Sequence, residues 1–241
     1  ERVRRGCEYL LSSSIASSGG FAASNTASVV PSSVIHCLNG NVLYALIRLG
    51  CLSDARVQRA LDWQAQSITG EQPIAYYQSG TSGPDFACAA NQKQPCGWGA
   101  DKAMKALLTV PAEQRTPSMQ QAIDRGAQFL LRHDIAAADF PYTEIISSAW
   151  FKLGFPLSYW SDVLETLEVL TALGYAGDAR LEAAYRWLLS KRDAQGRWKL
   201  ENSLNGKMWI DIEKRGKPSK WVTLRALRVI KRFEQAQSRV S

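Results

Sequence analysis

Apolar residues recur at helical spacing along most of the chain, and no stretch alternates convincingly with the two-residue period of a strand. Val42, Leu43, Ala45, Leu46 and Leu49 mark one predicted helix, which Gly50 stops. The next begins near Asp54, a residue type that caps helix N-termini, and carries Val57, Ala60, Leu61 and Gln64 on one side. Matching pairs are predicted at 99–110 with 117–132 and at 160–173 with 178–190. A last helix is predicted at 219–235, where Val222, Ala226, Val229, Ile230 and Phe233 form an apolar stripe. On that reading Arg225, Arg228, Lys231 and Arg232 fall mostly off the stripe. The predicted class is all-α, a single domain over residues 1–241.

The helix pairs repeat. Leu49-Gly50-Cys51-Leu52-Ser53-Asp54-Ala55-Arg56-Val57 recurs as Leu173-Gly174-Tyr175-Ala176-Gly177-Asp178-Ala179-Arg180-Leu181, and Ala60 and Trp63 meet Ala184 and Trp187 at the same offset of 124. Half that offset is a unit of about 62 residues, and a shift of 61 carries Trp160 onto Trp221. Four hairpin units fit. Turns within a hairpin are short, near 50–53, 111–116 and 174–177, whereas the opposite connections are long, near 14–35, 67–97, 134–159 and 191–218. Long ordered loops in a compact domain are usually functional. Side-by-side hairpins would gather all of them at one end, which is where a site is expected.

Composition narrows the class. With 46% hydrophobic, 21% charged and 10% aromatic residues, the chain is neither disordered, collagen-like nor a disulfide mini-protein. No run approaches the roughly 20 apolar residues of a membrane-spanning helix. No basic-then-apolar leader opens the chain, and the five cysteines (Cys7, Cys37, Cys51, Cys88, Cys96) are an odd number. Reduced thiols and a cytoplasmic location are therefore expected. The net charge of +7 is lopsided: residues 191–241 carry 14 Lys/Arg against 5 Asp/Glu, whereas residues 1–190 carry 15 against 17. A one-sided positive field favours an anionic partner such as phosphate, diphosphate, acidic glycan, nucleic acid or lipid headgroup. Solvated helix faces would look the same.

Tyr185-Arg186-Trp187-Leu188-Leu189-Ser190-Lys191-Arg192-Asp193-Ala194-Gln195-Gly196-Arg197-Trp198 resembles the repeat of the squalene cyclase and protein prenyltransferase superfamily, with Arg192 at the position of the first Gln of Gln-x-x-x-Gly-x-Trp. Tyr9-Leu10-Leu11-Ser12-Ser13 with Gly19-Gly20-Phe21 resembles another copy, and Gln128–Arg132 and Leu61–Gln66 resemble further outer-helix ends. The resemblance implies an α/α toroid, inner helices around a cavity and outer helices outside. Four units imply an incomplete ring, unless a helix around Ile145–Leu153 adds to it. The Asp-x-Asp-Asp string of the class II terpene cyclases is absent, with Asp211-Ile212-Glu213 a weak echo, and no zinc ligand set of the prenyltransferases matches residue by residue. Fold kinship alone does not assign a reaction.

Candidate chemistry concentrates in the long connections. His36, Cys37, Cys88 and Cys96 are residue types that bind zinc. His36 and Cys37 are equally a candidate imidazole–thiolate pair at a helix start. A disulfide, with Cys88 and Cys96 closest in sequence, and plain packing fit the same residues; Cys7 and Cys51 read as structural. Asp162 and Glu165 share a face at the start of an inner helix, where one could act as a general acid and the other stay ionised, or both could simply favour the helix N-terminus. Asp101 and Lys105 read as a surface pair. Tyr76, Tyr77, Trp98, Tyr159, Trp160 and Trp209 could line a greasy pocket, stabilise a cation or stack sugars, whereas Trp198 reads as a packing residue. Lys207, Lys214, Arg215, Lys217, Lys220 and Arg225 could bind a diphosphate; a nucleic-acid patch ranks lower because no nucleic-acid motif accompanies them.

The first expectation is an enzyme acting on an apolar, isoprenoid-like substrate with an anionic end. Asp162 and Glu165, or a metal (zinc) on His36, Cys37, Cys88 and Cys96, would supply the electrophile. A glycan-processing lyase or hydrolase toroid is the second reading, with Tyr, Arg and His abstracting a proton beside a carboxylate. A non-catalytic, zinc-stabilised ligand-binding or scaffold toroid is the third, and association of copies into a homo-oligomer stays open.

Overall fold

A computed structural model describes residues 1–23, 34–71, 82–88, 91–138, 147–158 and 160–238. Among them the chain is mostly helical, with two small two-stranded hairpin sheets. It divides into two compact units, Glu1–Phe129 and Leu130–Ser241.

The first unit holds α1 (Arg2–Ser13), α2 (His36–Arg48), α3 (Ala55–Thr69), α4 (Gly97–Thr109) and most of α5 (Pro117–Leu131). The helices start and stop where the residues dictate. Asp54 caps α3 by accepting from the Arg56 N–H at 2.8 Å, and Gly50, in the left-handed region at φ 87°, turns the chain out of α2. The main packing is α2 against α4. Gly40 permits it: a Cβ there would stand 2.5 Å from the carbonyl carbon and oxygen of Lys102, so the helices meet backbone to backbone. Leu43, Leu46, Leu61, Ile68, Phe86, Met104 and Leu107 are buried in the core of this unit. Strands β1 (Ala87–Cys88) and β2 (Gln94–Pro95) pair antiparallel, Ala87 opposite Pro95, and lead into α4.

Asp101, read as a surface partner of Lys105, is fully buried, as is Lys102. The i,i+4 spacing describes one helix alone and does not tell which of its sides the rest of the fold encloses.

The second unit holds α6 (Val163–Ala172), α7 (Glu182–Ser190) and α8 (Lys220–Gln237), with β3 (Trp198–Lys199) antiparallel to β4 (Pro218–Ser219). It repeats the local chemistry of the first. Gly174 takes φ 94°, and Asp178 accepts from the Arg180 N–H at 2.9 Å, 124 positions after Gly50 and Asp54. The principal helix packing in this unit is α6 against α8. Val222, Ala226, Val229, Ile230 and Phe233 are buried as the stripe predicts, and Tyr185 of α7 stacks on Phe233 at 4.0 Å. Trp198 is fully buried, and its indole N–H donates to the Leu188 carbonyl at 2.8 Å, the packing role expected of it. The segment proposed to add a helix near 145–153 contains, among the described residues, one short turn of 3₁₀ helix at Ser148–Phe151.

Candidate functional site

Two polar clusters form, one in each unit. In the first unit His36 opens α2 and is fully buried. Its Nε2–H donates to the Gly83 carbonyl at 2.8 Å, which leaves Nδ1 to accept from the Gln64 amide at 2.7 Å. Gln64 Oε1 accepts from Asn39 Nδ2 at 3.0 Å, and Asn39 Oδ1 accepts from the Phe21 N–H at 2.8 Å. The backbone N–H of His36 donates to Ser82 Oγ at 2.9 Å. These bonds cross-link α2, α3 and the two loops that precede α2 and α4, and burial holds the imidazole pKa down at about 4.

That network corrects the expectation for His36. Both ring nitrogens are occupied by protein partners, so neither a lone pair for a metal nor a base for Cys37 is left over. The three cysteines predicted beside it do gather: Cys37, Cys88 and Cys96 lie near enough for their charges to interact, and Gly99 packs against both His36 and Cys96. Cys96 caps α4, where a helix N-terminus would normally favour a thiolate. Burial outweighs the nearby N–H groups and pushes this thiol up to about 12, so it stays protonated. All five cysteines carry free thiols, and among the described residues no group of three or more His, Cys, Asp and Glu is disposed to hold a metal ion. Trp98, on the first turn of α4, is partly exposed beside this cluster.

In the second unit Asp162 is the N-cap of α6 and is buried with Glu165. Asp162 Oδ1 accepts from the Glu165 N–H at 2.7 Å and Oδ2 from the Gly154 N–H at 2.9 Å. Arg225 enters from α8: its guanidinium binds Glu168 at 2.7 Å and the Gly154 carbonyl at 2.9 Å, and reaches Asp162 only at 3.5 Å. One guanidinium thus faces three carboxyl groups, and its shortest ion pair goes to Glu168. Burial raises the Asp162 carboxyl above its ordinary range, with the Arg225 charge opposing and Glu165 adding to the rise. Asp162 borders a cleft with room for about one water molecule, lined also by Lys152, Trp160, Ser161 and Asn202. Among the described residues Ser161 Oγ is buried there without a hydrogen-bond partner.

Arg225, read as lying mostly off the apolar stripe and as one of the bases that could bind a diphosphate, is buried. It stands three positions after Val222 and therefore on the same face of α8; the carboxyl groups of α6 supply the charge that lets it sit there. Trp209 and Lys220 are exposed at the surface. Tyr76, Tyr77 and Tyr159 lie outside the described residues.

Two features escaped the sequence reading. Cys7 and Cys51 come together, the Cys51 thiol held above its usual value first by burial and then by a hydrogen bond with Cys7. A cleft of about 500 Å³ lies in the first unit, lined by Ser18, Arg59, Asp62, Trp63 and Gln66 among others. Neither has a local motif; only Arg59, Asp62, Trp63 and Gln66, at three- and four-residue steps along α3, mark one wall of the cleft.

No protein-family model, no curated protein and no solved structure matches this chain.

Proposed function

We propose that the chain is an enzyme built of α/α-toroid hairpins, in which Asp162 serves as a general acid toward the reacting end of an apolar, isoprenoid-like substrate with an anionic end. The observation that carries this reading is the buried Asp162 carboxyl at its cleft, raised above the usual carboxylate range and served by a guanidinium whose shortest ion pair goes to Glu168. A carboxyl whose protonated form is favoured by burial is suited to proton donation to an alkene or a leaving group. Oδ1 and Oδ2 each accept one backbone bond, so Oδ2 keeps a lone-pair direction for the proton, and Ser161 Oγ is free to orient a water or substrate oxygen. The hairpin repeat is supported by the equivalent turns at Gly50 and Gly174, and by the packing of α2 on α4 and of α6 on α8 within their units.

Farnesyl diphosphate is the test ligand. It should raise the melting temperature of the chain and be converted to product, and Asp162→Asn should keep the thermal shift while losing at least 100-fold in turnover, the order of magnitude of general acid catalysis. Neither shift nor turnover with farnesyl or geranylgeranyl diphosphate would overturn the reading. The cleft of the first unit, with a carboxyl, a guanidinium, an amide and an indole around about 500 Å³, favours the glycan-processing alternative. Protection by oligosaccharides, lost in Asp62→Ala, would decide for it.

A further inference from the structure

The loop before α8 presents apolar side chains to solvent in a way that packing does not explain. Trp209 is fully exposed and Ile210 is 73% exposed, with Ile212 also outside the core. The exposed apolar surface continues onto α8 as Trp221, Leu224 and Leu227, three residues apart and hence on one side of the helix. Loop and helix start belong together, because Glu213 accepts from the Lys220 N–H at 2.9 Å and also binds the Ser219 hydroxyl. Large exposed apolar patches on soluble folds mark interaction sites.

The charges around this patch are sorted. Lys207, Lys214, Arg215, Lys217 and Lys220 are all exposed, and none of them is in an ion pair among the described residues. The two acids of the loop are turned to the backbone instead: Asp211 accepts from the Gly206 N–H at 3.0 Å, and Glu213 holds the start of α8. The outward field is therefore positive, with indole and aliphatic groups projecting from its middle.

We infer that the 205–217 loop with the exposed side of α8 is a docking surface for an anionic lipid bilayer, Trp209 and Ile210 inserting at the headgroup level and the five bases meeting lipid phosphates. Tryptophan favours the membrane–water interface because its ring is apolar and its N–H is polar. Lysine stems bury their methylenes there while the ammonium groups stay with the headgroups. A second copy of the chain would bring the same positive field and be repelled. A nucleic acid would match the charge but leaves the aliphatic Ile210, Ile212, Leu224 and Leu227 without a partner.

Sedimentation of the 241-residue chain with large unilamellar vesicles tests this. Binding is expected to vesicles of phosphatidylcholine with 30 mol% phosphatidylglycerol (a working composition on the order of natural anionic surfaces) and not to phosphatidylcholine alone. Each of Lys207→Glu and Lys214→Glu should weaken it about fivefold or more, and Trp209→Ser should weaken it while leaving the far-UV spectrum unchanged. Brominated acyl chains should quench tryptophan emission more strongly in the wild type than in Trp209→Ser, where only Trp221 of this surface remains. Absence of binding to anionic vesicles overturns the proposal, as does binding that Trp209→Ser and Lys207→Glu leave unchanged. Tighter binding to a single-stranded RNA oligonucleotide, insensitive to Ile210→Ser, would assign the surface to nucleic acid and also overturn it.

Discussion

At the scale of single residues, the two buried clusters titrate in opposite senses. The His36 imidazole is held near 4, below its unfolded value of about 6.5, so between those values the unfolded chain binds more protons. Its contribution to stability is complete above pH 6.5 and is lost as pH falls toward 4, about 3 kcal/mol over the interval. Asp162 runs the other way: its folded carboxyl is raised, so its contribution is greatest below the unfolded carboxylate value and declines as pH rises through the folded one. Urea unfolding across the acid and neutral range should therefore show an acid limb that His36→Gln flattens and an opposite trend, stability falling as pH rises, that Asp162→Asn removes. An acid limb unchanged in His36→Gln would mean that the imidazole is not the group responsible.

At the scale of elements, much was legible beforehand. Asp54 and Asp178 are N-cap residue types, and both accept from the N–H two residues on. Gly50 and Gly174 stop helices in the left-handed conformation that glycine tolerates best. These are local devices, so a sequence repeat at an offset of 124 becomes a structural repeat. What periodicity could not tell is which helix sides are enclosed. Arg225 lies off the apolar stripe on periodicity, and Asp101 pairs with Lys105 on i,i+4 spacing; in the fold both are buried. Gly40 shows how close a neighbouring helix can come. Gly40→Ala puts a methyl 2.5 Å from Lys102 backbone atoms and should cost about 2–3 kcal/mol, read as a lower urea midpoint with unchanged slope. Gly6→Ala, with nothing near its added carbon, should change stability by less than about 1 kcal/mol.

At the scale of the whole molecule, each compact unit has its own core and its own buried polar cluster, so damage to one cluster should register in its own unit. Arg225→Met leaves Glu168 without its guanidinium and should destabilise by about 3–5 kcal/mol, the usual cost of breaking a buried ion pair from one side. Amide exchange followed by mass spectrometry should rise first in peptides of α6 and α8, over 163–172 and 220–237, and less over α2 and α4. Equal increases everywhere would show that the two units unfold as one.

The helices, their caps, the repeat and the basic C-terminal fifth were settled by the amino-acid sequence alone, because spacing along a helix, capping and net charge are properties of neighbouring residues. Tertiary structure decided which groups meet. It gave both His36 nitrogens to Gln64 and Gly83, turned Arg225 inward to Glu168, and brought Cys7 to Cys51 across 44 positions. Hydrogen bonds and ion pairs between distant segments depend on how helices are stacked, and side-chain chemistry follows from that burial rather than from residue type.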